Sequence, residues 1–278
     1  MIPRILALLA LVASLASGAA HAAISCSVSS PGFAAAYSST AAGTNITQTY
    51  FTVTCTRGSA GDPSSVSWSV KADNGLYSSG QRNRAASGGN RISYDVYRDG
   101  ACGTQWKGPA AISGTINFTG TGTFTAQGNY WGCISAGQTG LAAGVYSDSV
   151  TMTMTYGAAN TVTTGSFGVT ITTPPTCAIT TAPGTITFNY VSFGAAVNAS
   201  TTFGVTCSLA LPYSIALDAT TGTIVGITYT LSLPVPATTG TGNEQTLSID
   251  GNVAAGQSGT CGGQNCAGTQ SRSVTVSY

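Results

Sequence analysis

Apolar and polar residues alternate along most of this chain. Phe51, Val53 and Cys55 are in phase, as are Val66, Trp68 and Val70, then Ile92, Tyr94 and Val96, then Val150, Met152, Met154 and Tyr156. A period of two gives a strand one buried face. Further along, the same order of sets returns: Phe203, Val205 and Cys207, then Ile215 and Leu217, then Ile227, Tyr229, Leu231 and Leu233, then Val274, Val276 and Tyr278. Turn-forming clusters such as Asp73-Asn74-Gly75, Ser87-Gly88-Gly89-Asn90 and Thr239-Gly240-Thr241-Gly242 separate the sets. No stretch of about ten residues beyond the amino-terminal segment carries helical periodicity. The pattern predicts an all-β protein made of two sandwiches of short strands.

The recurrence is a duplication. Cys26-Ser27-Val28 leads to Phe51-Thr52-Val53-Thr54-Cys55, and Cys177-Ala178-Ile179 leads to Phe203-Gly204-Val205-Thr206-Cys207. The copies also close alike, with Gly144-Val145-Tyr146-Ser147-Asp148-Ser149-Val150 answered by Gly268-Thr269-Gln270-Ser271-Arg272-Ser273-Val274. They differ in what precedes them. Few residues stand between the amino-terminal apolar segment and Cys26, whereas Phe167, Val169 and Ile171 alternate with Gly168, Thr170 and Thr172 ahead of Pro174-Pro175 and Cys177. A plain linker does not need that alternation. It is either the first strand of the second unit's own sheet or a strand that completes a neighbouring unit.

Composition narrows the class. Arg4, an apolar run from Ile5 to Leu15 and the small-residue end Ala20-His21-Ala22 read as a secretory signal peptide at 1–22. The run is shorter than the roughly 20 residues a membrane helix needs. Cleavage there removes Arg4 and His21, the one histidine, from a chain with 9 basic and 8 acidic residues. A neutral, histidine-free product is expected. It lacks the clustered cations that nucleic acid or an anionic membrane requires, so no nucleic-acid partner is expected.

The 8 cysteines all follow the signal segment, four to each copy. In an oxidising compartment this points to disulfides. The repeat pairs Cys26 with Cys55 and Cys177 with Cys207 most naturally, leaving Cys102 with Cys133 and Cys261 with Cys266. Tetrahedral zinc ligation is the rival, but the closely spaced knuckles it needs are missing.

Catalytic chemistry finds little footing. Without histidine a Ser or Cys nucleophile lacks its usual base, and Glu244 is the one glutamate. Asp95 and Asp99 read as a surface pair before a glycosidase dyad, and Asp148 as a turn or hydrogen-bonding residue. No catalytic, cofactor-binding or metal residue is assigned; a secreted hydrolase is the rival class. Exposed aromatics beside glycine are candidates for adhesive contact: Leu76 and Tyr77 after Asn74-Gly75, and Phe33 and Tyr37 in a Gly/Ala/Ser stretch. Satellite core packing is the alternative for each. Trp68 reads as core, and Trp106, Tyr130 and Trp131 as core or sheet-face packing. Asn45, Asn117 and Asn198 begin glycosylation sequons, which chance explains in so Ser/Thr-rich a chain.

Several segments together resemble the spore coat protein U domain family, which includes Csu-type subunits of archaic chaperone-usher pili. They are Ile92-Ser93-Tyr94-Asp95-Val96-Tyr97 with Gln105-Trp106-Lys107-Gly108, then Tyr130-Trp131-Gly132, then Gly144 to Tyr156. The second copy keeps Ile249 to Gln257 and the closing strand, with Gln270 and Arg272 in place of the usual Tyr and Asp. The resemblance implies two immunoglobulin-like, pilin-type β-sandwich domains in tandem, 23–157 and 177–278, the carboxy-terminal one lacking its last strand. The linker, 158–176, then carries a donor strand whose Phe167, Val169 and Ile171 complete the first domain, each contributing roughly 1.5–3 kcal/mol. Because the second copy stops at Tyr278, its closing strand, with Val274, Val276 and Tyr278, is expected to accept a strand from another subunit. Because the first starts almost at Cys26 once the signal segment is removed, it is expected to have none to give.

A subunit that accepts and does not donate belongs at the fibre tip. The implied protein is an exported tip adhesin acting in surface attachment and biofilm formation. Its implied partners are a periplasmic pilus chaperone, an outer-membrane usher, the next pilin subunit through donor-strand exchange, and a host or abiotic surface. The alternative is a shaft or outer-coat component of the same family.

Overall fold

The computed structural model describes residues 24–39 and 41–278, and among them there is no helix. The expected signal peptide, 1–22, lies outside the described residues. The first copy supplies β1 (Ser25–Ser29), β2 (Phe33–Ala36), β3 (Asn45–Arg57), β4 (Ser65–Ala72), β5 (Asn83–Ser87), β6 (Asn90–Tyr97), β7 (Ile112–Asn117), β8 (Gly122–Ile134), β9 (Gly144–Tyr156) and β10 (Thr161–Thr173). The second supplies β11 (Cys177–Thr181), β12 (Val197–Cys207), β13 (Pro212–Leu217), β14 (Thr221–Ile224), β15 (Ile227–Ser232), β16 (Ala237–Thr239), β17 (Glu244–Val253) and β18 (Val274–Ser277).

In the first copy β1-β3-β8-β6 lie side by side, and β7-β4-β9-β10-β2 form a second run joined to the first through the β5–β6 hairpin. The second copy has β11-β12-β17-β15-β14 and, separately, β16-β13-β18. Six antiparallel pairings recur. β1–β3, β3–β8, β6–β8, β5–β6, β4–β7 and β4–β9 are matched by β11–β12, β12–β17, β15–β17, β14–β15, β13–β16 and β13–β18. Among the described residues, strands β2 and β10 have no counterpart.

Disulfides join Cys26–Cys55, Cys102–Cys133, Cys177–Cys207 and Cys261–Cys266. The first and third bridge directly opposed residues of β1–β3 and β11–β12. The in-phase apolar residues face two separate cores, one around Phe51, Trp106, Tyr130 and Met152, the other around Phe203, Val205 and Tyr229. The connection between the cores is short. Strand β10 takes up 161–173 of the expected linker, 158–176, and only 174–176 lie between it and β11.

That junction is held by backbone. The Gly140 amide donates to the Gly242 carbonyl at 2.9 Å, and the Leu209 amide to the Leu141 carbonyl at 2.9 Å.

Candidate assembly groove and loop surface

Strand β10 pairs with β9 over its whole length, from Thr161 opposite Tyr156 to Thr173 opposite Gly144. On its other side, Val169 to Thr172 run parallel to Phe33 to Ala36 of β2. Phe167, Val169 and Ile171 are only 3%, 1% and 0% exposed, whereas Gly168, Thr170 and Thr172 face solvent. The Phe167 ring lies 5.1 Å from that of Tyr130. Entry to β2 depends on Gly32, at φ 76°, because a Cβ there would stand 2.0 Å from the Gly168 carbonyl oxygen. This segment therefore belongs to the first copy's sheet and not to the second's.

The second copy repeats the surroundings of β10 without the strand. Its β18 pairs with β13, and among the described residues no strand pairs with its other edge. Ile186, Phe188 and Tyr190 alternate half-buried with exposed residues along a segment that pairs with no strand. This segment answers the Phe33–Tyr37 stretch. Phe188 stacks on Tyr229 at 6.0 Å where Phe33 meets Tyr94 edge-on at 5.6 Å. The Tyr190 hydroxyl accepts from the Gln257 amide at 2.8 Å, as the Tyr37 hydroxyl accepts from that of Gln138 at 2.9 Å.

Burial follows the same contrast. Val150, Met152 and Met154 of β9 are wholly buried, while Val274 and Val276, at the matching places of the closing sequence motif, are half-buried and Tyr278 is 62% exposed. Across the second core, partly buried apolar residues outnumber buried ones by 12 to 9; in the first they number 7 to 27. Unpaired backbone beside half-covered apolar side chains is a surface able to take one more strand.

A buried polar network braces the first copy near β9. Lys107 Nζ donates to Asp95 Oδ1 at 2.7 Å and to the Gln81 carbonyl at 2.7 Å, with both charged side chains almost wholly covered. Gln105 donates to Asp95 Oδ2 at 3.0 Å. The Tyr94 hydroxyl donates to Asp148 Oδ2 at 2.7 Å, and the Leu76 amide to Asp148 Oδ1 at 2.9 Å. Burial, then the hydrogen bond to Asp148, raises the Tyr94 pKa well above the ordinary tyrosine range. Burial also pushes Tyr130 up to about 12, against the opposing hydrogen bond from Ser30.

The loop held by Asp148 presents Leu76 and Tyr77, 69% and 38% exposed. It is braced on the other side by Arg84, which donates to the Tyr77 and Ser78 carbonyls at 2.7 and 3.1 Å, while Arg91 lies 4.7 Å from the Tyr77 ring.

Two expectations change. Phe33 and Tyr37 are not exposed contact residues: β2 lies against β10, which turns both rings into the core. Asp95 and Asp99 form no surface pair. The strand ends at Tyr97, so Asp95 is buried on Lys107, while Asp99 turns into a loop where it accepts from the Gly103 and Thr104 amides at 2.9 and 2.7 Å. Gln270 and Arg272 replace the Asp148 contact with a different one, since both hydrogen-bond to the Tyr229 hydroxyl, at 2.7 and 2.9 Å. Sequence reasoning missed Lys107 as an ion-pair partner and Ile186, Phe188 and Tyr190 as a groove wall. The matching pairs Gly137-Gln138 and Gly256-Gln257 were the available signal for the wall. Among the described residues no group of three or more His, Cys, Asp or Glu could hold a metal.

A model of the Spore Coat Protein U domain family matches residues 11–153. No curated protein matches the chain. Among solved structures, the chaperone–tip adhesion subunit complex CsuC–CsuE from archaic chaperone-usher Csu pili of Acinetobacter baumannii is 14% identical. It covers 91% of this chain and 99% of that one at a TM-score of 0.41. The CupB6 tip adhesin of Pseudomonas aeruginosa is 13% identical, with 84% and 88% covered and a TM-score of 0.39. The CooA pilin subunit of enterotoxigenic Escherichia coli is 14% identical, with 55% and 99% covered and a TM-score of 0.35.

Proposed function

Since the chain belongs to the Spore Coat Protein U domain family, we propose that it is an exported subunit of a chaperone-usher pilus and serves as its tip adhesin. Its two repeats are then immunoglobulin-like sandwiches, the first closed by β10 from its own chain and the second left for a strand from outside. One observation carries the reading. The second copy reproduces the flanks of β10, in the Ile186–Tyr190 segment and in β18, and has no strand between them.

Mechanistically, the open edge offers backbone donors and acceptors to an incoming strand, and Val274, Val276 and Tyr278 supply apolar contacts. A periplasmic chaperone covers this edge first, and after the outer-membrane usher the next subunit's extension replaces it. Phe167, Val169 and Ile171 act as the internal donor stripe. A first domain closed by its own chain takes no neighbour, which suits the distal end of a fibre, where the Leu76–Tyr77 loop meets a host or abiotic surface. The activity is attachment, supporting biofilm growth, and not turnover.

Imaging fibres labelled on this protein tests the position. Labels confined to fibre ends are expected. Labels spaced along the shaft overturn the tip reading.

A further inference from the structure

The outward face of β3, β8 and β6 carries aromatic rings that the assembly groove does not use. Tyr97 of β6 lies opposite Trp131 of β8, Trp131 lies opposite Gln48 of β3, and one step along that face Tyr50 lies opposite Asn129. These side chains alternate with the buried or half-buried Thr49, Phe51, Gly128 and Tyr130, so they project from the solvent side. Tyr50 is 42% exposed, Gln48 and Asn129 are exposed, and Trp131 and Tyr97 are half-buried. Three rings on neighbouring strands, with an amide beside each step, form a shelf. With strands about 4.8 Å apart, it spans roughly 10 Å from β6 to β3.

One side of the shelf has a wall. The 99–104 loop folds over the sheet so closely that a Cβ on Gly100 would stand 3.2 Å from the Trp131 indole nitrogen. Two features fix that loop: the Cys102–Cys133 disulfide and the Asp99 carboxylate, which takes the loop's own Ala101, Gly103 and Thr104 amides. The wall is therefore fixed before anything binds, which lowers the entropic cost of binding.

We propose that this shelf binds a neutral, flat polysaccharide chain. The occupant follows from charge and from the mix of groups. The side chains of Tyr97, Trp131, Gln48, Tyr50, Asn129 and the next residue along, Gln127 opposite Thr52, carry no charge, and the carboxylate beside them, Asp99, is already taken by three amides of its own loop, so the shelf offers little to attract a charged polymer. A purely apolar surface would leave the Gln48 and Asn129 amides unpaired, at a desolvation cost. A sugar ring satisfies both demands, with its C–H face on an aromatic ring and its hydroxyls on the amides. The inference deepens the attachment reading and rests on it for biological meaning. Fibre labelling tests position and a retention assay tests the shelf, so either can fail alone.

The assay measures retention of the full chain on microcrystalline cellulose and on chitin, with alginate as the anionic comparison. Retention on a neutral polymer, unchanged between low and high salt, is expected. Tyr50→Ala, which touches no core, lowers apparent affinity about tenfold, the scale of a lost aromatic anchor. Trp131→Ala does the same, while Trp131→Phe, which keeps a ring, holds most of the binding and separates loss of contact from loss of fold. No retention on either neutral polymer overturns the proposal. So does retention that Tyr50→Ala and Trp131→Ala leave unchanged, or a preference for alginate that salt abolishes.

Discussion

Phe167→Ala is the sharpest test of what β10 does for the first copy. The ring is 3% exposed, packs at 5.1 Å on Tyr130, and sits on a strand held by β9 along its length. Replacing a core phenylalanine with alanine costs about 3–5 kcal/mol, and the upper half applies where neighbours cannot collapse into the space. Here β9 and β2 fix the backbone on both sides beyond Phe167. With a urea slope of about 2 kcal/mol per molar, the midpoint falls by about 2–2.5 M. The readout is selective, because Trp68, Trp106 and Trp131 all lie in the first copy. Tryptophan emission therefore follows that unit alone. Thr170→Ala, on the same strand but facing solvent, shifts stability by no more than about 0.5 kcal/mol, and Val274→Ala, in the other core, leaves the transition unmoved. A Phe167→Ala midpoint equal to that of Thr170→Ala would refute the claim that β10 is part of this core.

Three other outcomes are expected. Lys107→Ala strands a buried carboxylate on Asp95 and lowers stability by about 3–5 kcal/mol, more than the double change Lys107→Leu with Asp95→Asn, which leaves no unpaired charge; chemical denaturation of both variants checks this. Alkali loosens the first copy from the unfolded tyrosine pKa upward. The Tyr130 pKa is raised to about 12, so between about 10 and 12 the folded state holds a proton that the unfolded state has lost. That stabilisation is full below pH 10 and falls as pH rises. Tyr130→Phe flattens the fall, measured by urea midpoints across that window. Limited treatment with a dithiol followed by alkylation modifies Cys261 and Cys266 first, since both are exposed while every other bridge has a buried partner in Cys55, Cys133 or Cys207; peptide mass mapping gives the order.

Much of the architecture was legible because strands with one wet face write their period into the sequence. Phe51, Val53 and Cys55, and Phe167, Val169 and Ile171, alternate cleanly, and each set is buried. The duplication was legible for the same reason, since matching cysteines and closing strands recur at matching spacings. Exposure of single aromatics was not. Phe33 sits in a Gly/Ala/Ser stretch that reads as loop, and its burial comes from pairing with β10 more than 130 residues away, which no local pattern encodes. Lys107 was hidden likewise. A lysine at a chain turn reads as solvated, and only the return of the 98–108 segment over β6 sets it on Asp95.

The two copies act as an internal comparison for strand completion. They share six strand pairings, a cysteine bridge at the same place in the first pair, and a Gln–Tyr clasp behind the β8–β9 and β17–β18 connections. What differs is β10 and its neighbour β2. Where β10 is present, Val150, Met152 and Met154 are sealed. Where it is missing, the matching Val274, Val276 and Tyr278 stay half-covered or exposed. Sequence divergence at the first of these positions does not explain the contrast, because the closing motifs place a valine at both Val150 and Val274. The missing backbone does. A strand that supplied alternating apolar groups there would add a hydrogen-bond ladder and finish burying side chains already turned inward. The gain is greatest for Tyr278, which has the most surface still in water.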